Sequence, residues 1–170
     1  HLTDAMFKVR PEHRHAVFEV GINQAGQMAP YARMIQPDIT VVTSIGSEHL
    51  RSLGKLTVTR HEKAEMVRAL PPEGWAVLNG DDENVRWMAG ECNARMVTYG
   101  LGEGHDIRAS EIRSAGPLST SFQLHLGEQS LPCHTGLVGR HMIYPLLAAA
   151  AVAQVEGVKL TDVVQRLQDL

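Results

Sequence analysis

Cysteine, aromatic residues, long apolar runs and any excess of charge are all scarce in these 170 residues, and each shortage removes a class of function. The two cysteines, Cys92 and Cys133, lie far apart without Cys-x-x-Cys spacing, which argues against a disulfide scaffold and fits a reducing compartment. Aromatics at 5% and a net charge of −3 supply neither a basic surface nor stacking platforms, so nucleic acid is not an expected partner. The longest apolar run, Leu146–Val155, is broken by Gln154 and is too short to cross a bilayer. The N-terminus has no basic-then-apolar signal pattern, and a cytoplasmic protein without a membrane partner is expected. A phosphate-cradling loop is missing as well: Gly21-x-x-x-x-Gly26 is not followed by Lys-Ser/Thr. There is no internal repeat, low-complexity tract or linker.

What remains is enough for one domain, since 44% of the side chains are hydrophobic. Nine histidines invite a metal reading, yet the tight clusters, His13-x-His15 and Cys133-His134, have no second half with structural-zinc spacing. Apolar segments at Ala16–Val20, Ile39–Thr43, Trp75–Leu78 and Arg95–Tyr99 read as buried strands. Helices are expected between them, at Gln27–Ile35, Val58–Leu70 and Glu83–Ala89, the last capped by an Asp of Asp81-Asp82. This alternation predicts an α/β fold: a mostly parallel, doubly wound sheet with flanking helices. From Leu101 the texture changes, and Asp106–Ser114, Ser119–Leu126 and Gln129–Thr135 alternate apolar and polar residues between Gly/Pro turns such as Gly116-Pro117, as a small antiparallel meander does. A short helix within His1–Arg10 is ended by Pro11. An Ala-rich helix, Met142–Glu156, and an amphipathic one, Asp162–Leu170 with Thr161 as its cap, complete the reading.

In an open parallel sheet, ligands sit outside the carboxyl ends of the strands. Glu19, near the end of the first expected strand, and Glu48 and His49, in the loop after the second, fall on that rim. Lys63 follows on the next helix, fourteen residues after His49, sharing a face with Val67.

These pieces, in this order, resemble the central, ATP-binding domain of the Mur ligase family, most closely its MurF-like branch. The matching stretches are E-V-G-x-N-x-x-G at Glu19–Gly26, P-D-I-T-V-V-T-S-I-G-S-E-H-L at Pro37–Leu50, Lys63, V-L-N-G-D-D at Val77–Asp82, and G-R-H with its Ala-rich helix at Gly139–Ala151. The resemblance implies an ATP-dependent carboxylate–amine ligase of peptidoglycan precursor synthesis: the γ-phosphoryl of ATP activates a substrate carboxylate as an acyl phosphate, which an amine then attacks. It implies ATP and Mg2+ as cofactors, with nucleotide and small-molecule substrates (a UDP-sugar peptide or an amino acid) as partners. It assigns Glu19, His49 and Lys63 to magnesium, with Lys63 carbamylated and, together with His49, catalytic. Arg140 and His141 are the expected nucleotide contacts. Phosphoryl transfer is mostly positioning and charge neutralisation, and magnesium takes hard oxygen ligands, so the residue types suit the role. The three side chains should then converge to roughly 4–6 Å between ligand atoms.

The resemblance has gaps. Ser44 stands where many relatives have Asn, and Met142 and Pro145 stand where two Asn side chains would face the nucleotide. This points to a divergent relative with a different substrate. The family's G-x-x-G-K-T/S loop is absent, so residues 1–170 are expected to be a fragment of the central domain, without the P-loop portion and the C-terminal domain, and unable to hydrolyse ATP alone. Two alternatives stand beside this reading: a cyanophycin- or poly-γ-glutamate-type ligase, and a non-catalytic, ligase-derived scaffold domain.

Overall fold

The computed structural model describes residues 2–46, 55–114 and 119–170. A short helix α1 (Leu2–Met6) is followed by an extended segment, then by α2 (Met28–Ile35), β1 (Ile39–Val42), α3 (Leu56–Arg68), β2 (Trp75–Asn79), α4 (Glu83–Trp87) and β3 (Arg95–Gly100). Strands β4 (Ile107–Ser114), β5 (Thr120–Leu126) and β6 (Gln129–Thr135) come next, and α5 (Ile143–Val155) and α6 (Leu160–Gln168) end the chain. The strands form one six-stranded sheet in the order β1-β2-β3-β4-β5-β6. Pairing is parallel from β1 to β4 and antiparallel from β4 to β6, so the meander continues the main sheet instead of forming a second one.

Period-two alternation along the central strand explains the layering. Val77 of β2 belongs to a core shared with Val97 and Tyr99 of β3, Ile107 of β4, Phe122 of β5 and helices α5 and α6. Ala76 and Leu78, one residue to either side, face a second core with Val42, Ala64 and Val67 of α3, and Val85 and Met88. Helices therefore cover both faces, as expected of a doubly wound sheet. Helix α6 buries Leu160, Val163, Val164 and Leu167, a single stripe at helical spacing.

Three expectations are corrected. Ala16–Val20 is not a strand: it pairs with no neighbour among the described residues, and Val17 is 96% exposed. An apolar run states a need for burial, but a strand also needs a ladder partner, and none flanks β1 on its outer side in the described chain. The segment is anchored further on, where Ile22 and Met28 are buried with Val20, Tyr31 and Met66 packed on them. Thr161 does not cap α6; Lys159 occupies the cap without a side-chain bond, and the Thr161 hydroxyl donates to Asp162. The Ala-rich helix is entered through a 3-10 turn, Arg140–Met142, and α4 runs into another, Met88–Glu91.

The Asp cap is present. Asp82 Oδ1 accepts from the backbone N–H of Asn84 (2.9 Å) and Val85 (3.1 Å), while Oδ2 accepts from Ile45 N–H (2.9 Å), tying α4 to the loop after β1. Asp82→Ala is accordingly expected to lower stability by about 1–3 kcal/mol, read from urea denaturation midpoints. A loss under about 0.5 kcal/mol would mean that neither bond contributes.

Candidate functional site

Two clusters of polar contacts lie along the carboxyl ends of the parallel strands. The first is built around the loop leaving β1. Tyr99 OH donates to Val42 O (3.4 Å), Asn79 Nδ2 to Thr43 O (2.7 Å), Lys63 Nζ to Ser44 O (3.3 Å) and Ile45 N–H to Asp82. Four consecutive residues are thus held by side chains or backbone from β2, β3, α3 and the α4 cap. The polar loop before α2 is fastened to the same helix, since Gly26 N–H donates to Glu62 Oε1 (2.8 Å). Gly26 has φ +85°, a backbone conformation that suits glycine, and Gln27 Oε1 closes the turn by accepting from Asn23 and Gln24 N–H. Consecutive residues of α3, Glu62 and Lys63, therefore receive the two loops.

Of the residues expected at the metal, the structure places Lys63 against the β1 loop. Glu19 is exposed, and its carboxylate makes no hydrogen bond or ion pair with any described residue. No bond joins it to Lys63; its segment instead packs through Val20 near Met66, less than one turn of α3 beyond Lys63. His49 and Glu48 lie outside the described residues, as does Gly116-Pro117. Among the described residues no group of three or more His, Cys, Asp and Glu side chains is gathered as for a metal.

The second cluster is centred on Asp81, which sequence reasoning does not single out as a site residue. Asp81, at the end of β2, accepts from the backbone N–H of Leu101 and of Gly102 (3.2 Å) and from Tyr144 OH (3.0 Å). His105 Nε2 lies 3.0 Å from Asp81 Oδ1, the oxygen that also accepts from Gly102, and the Asp81 and His105 side chains are only 24% and 14% exposed. Burial alone would raise the Asp81 pKa, but the hydrogen bonds from Leu101, His105, Tyr144 and Gly102 outweigh it and hold the carboxyl below its ordinary value. For Tyr144 burial and the Asp81 carboxylate act together and push the phenol up.

Glycine makes this packing possible. A Cβ on Gly80 would sit 2.2 Å from the His105 ring, and one on Gly100 would sit 2.6 Å from that ring and 2.8 Å from the Asp81 carboxyl. The signal was available as Gly100-x-Gly102-x-Gly104-His105, glycines crowding a histidine, but its partner Asp81 lies 24 residues upstream.

Arg140 and His141 are both exposed at the entrance to α5. His141 folds over Gly139, where an added Cβ would lie 2.7 Å from the ring, and Gly139 itself has φ +101°. Arg140 lines a cavity with Leu101 and residues of β4.

Comparison with known proteins fits this arrangement. The family profile described as Mur ligase middle domain matches residues 1–153. The chain is similar to the UDP-N-acetylmuramoyl-L-alanyl-D-glutamate–2,6-diaminopimelate ligase of Chlamydia caviae, at 35% identity over 81% of this chain and 28% of that protein. It is also similar to the UDP-N-acetylmuramoyl-tripeptide–D-alanyl-D-alanine ligase of Mycobacterium tuberculosis, at 31% identity over 90% of this chain and 30% of that protein. Among solved structures, MurF from Acinetobacter baumannii superposes with a TM-score of 0.88 at 30% identity, covering 96% of this chain and 36% of that one. The chain spans about a third of the length of these relatives.

Proposed function

The chain belongs to the Mur ligase family through its middle domain, and from that premise we propose that it forms the nucleotide-handling part of an ATP- and Mg2+-dependent ligase joining an amine to a UDP-sugar-linked carboxylate. The D-alanyl-D-alanine-adding step is the best-supported member of the class, because the likeness to MurF extends over 96% of the chain. The observation that carries the reading is the meeting of the Gly21–Gly26 loop and the β1 loop on Glu62 and Lys63, where a sheet of this kind receives its ligand.

The donor chemistry is compatible with magnesium. Glu19 offers a carboxylate engaged by no other described residue, whereas the Lys63 amine becomes an oxygen ligand only as a carbamate. Carbamylation requires the ammonium first to lose one proton; the neutral amine then adds to carbon dioxide, forming the N–C bond as one C–O π bond opens, and releases a second proton, so that a cation becomes an anion. Bound there, magnesium would neutralise charge on the phosphoryl groups of ATP. The chain's own work is positional: Asn79, Asp82 and Tyr99 pin the β1 loop beside Lys63, and Arg140 and His141 stand at the entrance to α5 to meet the nucleotide. The reading places catalysis in the cytoplasm; separately, no helix among the described residues is long and apolar enough to cross a membrane.

The test is the reading frame that encodes this chain, expressed whole and supplied with ATP, magnesium, a UDP-N-acetylmuramoyl peptide and D-alanyl-D-alanine. ADP release that requires both organic substrates is expected. Absence of ADP release with this dipeptide and with single amino acids alike would overturn the proposal.

A further inference from the structure

Strand β3 pairs with β4 only at Tyr99–Ile107 and Gly100–Arg108. A parallel neighbour ordinarily needs a crossover of a dozen residues or more, but residues 101–106 suffice here because the contact involves only the two strand ends. Asp106 closes the short loop, its Oδ2 accepting from Thr98 N–H (2.8 Å) and Thr98 Oγ1 (2.7 Å). From Ala109 onward, β4 therefore overhangs β3 and is flanked on that side by no strand among the described residues. The overhang contains a bulge: the register shifts between Ser110 and Arg113, and Glu111 has φ +51°.

The notch beneath this overhang encloses about 240 Å³. It is lined by Leu101, Glu103, residues 108–112 of β4, and Arg140 from the turn before α5. Its charges are unusually arranged. Arg108 and Arg140 both line it, and neither guanidinium has a hydrogen bond or ion pair with any described residue, although two carboxylates are on the same rim. Glu111 turns instead to Arg113, which is not part of the lining (3.7 Å), and Glu103 is exposed. Ser110 is committed to His125, with its Oγ 2.7 Å from Nε2. Burial and then the charge of Arg108 lower the His125 pKa, with Glu111 opposing.

We propose that this notch is a binding subsite for an oxyanion, the phosphate or carboxylate group of a ligand, held between Arg108 and Arg140 at the overhanging edge of β4. Two guanidiniums from separate elements can each present a planar fork to one anion. The overhang supplies backbone N–H groups that have no strand partner, and Leu101 and Glu103 of the lining follow directly on the carboxyl end of β3. The inference shares Arg140 with the ligase reading and is otherwise independent of it.

The experiment titrates the chain, at low ionic strength and without magnesium, with pyrophosphate and separately with glutarate, following backbone amide shifts by NMR and affinity by calorimetry. Shifts at Leu101 and at Ala109–Ile112 are expected. Arg108→Ala and Arg140→Ala should each weaken binding by about tenfold or more, as loss of a charged hydrogen-bonding partner does, and Arg108→Lys by less. Arg113→Ala, an equal change of charge on the same strand but outside the notch, should stay within about twofold. Tighter binding of pyrophosphate assigns the subsite to a phosphate group, and tighter binding of glutarate to a carboxylate. No binding of either anion, an unchanged affinity in Arg108→Ala, or an equal loss in Arg113→Ala would overturn the proposal. The titration contains no ATP, magnesium or ligase substrate and its readouts are confined to Leu101, Ala109–Ile112 and the two arginines, so a failure here leaves the ADP-release test of the ligase reading untouched and the two failures are separable. The Arg108 guanidinium makes no hydrogen bond or ion pair with a described residue, and the backbone pairing of Arg108 with Gly100 and His125 does not depend on its side chain, so its replacement does not threaten the fold.

Discussion

Asp81→Asn is expected to lower the stability of the chain by about 2–4 kcal/mol at neutral pH, among the larger effects a single polar substitution can have. The carboxylate receives four hydrogen bonds, two from backbone amides of the 101–106 loop, one from His105 and one from Tyr144. An amide can accept at one oxygen only and turns its own N–H groups towards donors, so at least two partners lose their acceptor in a site that is largely out of water. Relaxation is blocked because Gly80, Gly100 and Gly102 already bring backbone against the His105 ring and the carboxyl. The effect should depend on pH in a definite direction. The folded-state pKa of Asp81 is depressed, so its stabilisation is fully present above the unfolded-state value of about 3.9 and is lost as pH falls through the lower folded value. Thermal melts between pH 7 and pH 3 should therefore show the wild-type and Asp81→Asn curves converging below about pH 4. Curves that stay parallel, or a neutral-pH difference under about 1 kcal/mol, would mean that the four bonds are not what holds this corner together.

Lys63→Ala in the whole ligase is expected to reduce turnover by at least about 10²-fold, the scale on which a group that positions phosphoryl charge is felt. The same change should hardly affect stability, since the one bond lost is a 3.3 Å contact to the Ser44 carbonyl from a partly exposed side chain. That separation makes the test informative: a large loss of ADP release with an unshifted melting temperature isolates a role in the reaction. Incubation with 13C-bicarbonate should also give a carbamate resonance in the wild-type protein that Lys63→Ala lacks. Full activity in the variant would remove Lys63 from the proposed site, and an unlabelled but essential lysine would leave its ammonium in the role and exclude the carbamate.

Much of the sheet was legible because its signals are local. The apolar segments at 39–42 and 75–79 lie between turn residues, and the 107–135 region alternates with period two, so length and periodicity sufficed. Ala16–Val20 misled for a physical reason: pairing is a relation between distant segments, and apolar character does not say whether a partner is there. Lys63 could be singled out through spacing and resemblance, and it does face the β1 loop. Asp81 could not, because in sequence it reads as a turn residue beside a helix cap. Its role is set by His105 and by Tyr144, 24 and 63 residues further on. Arg108 was hidden for a similar reason, since a charge on an alternating strand reads as solvated until the sheet shows where the neighbouring strand stops.

The alternation along β2, with Val77 turned to one apolar layer and Ala76 and Leu78 to the other, makes this strand common property of two interiors that otherwise share little. Neither interior can open while the other stays closed, because whichever lets go takes the same backbone with it. The halves of the domain should accordingly melt as one foldon, with no half-folded species between.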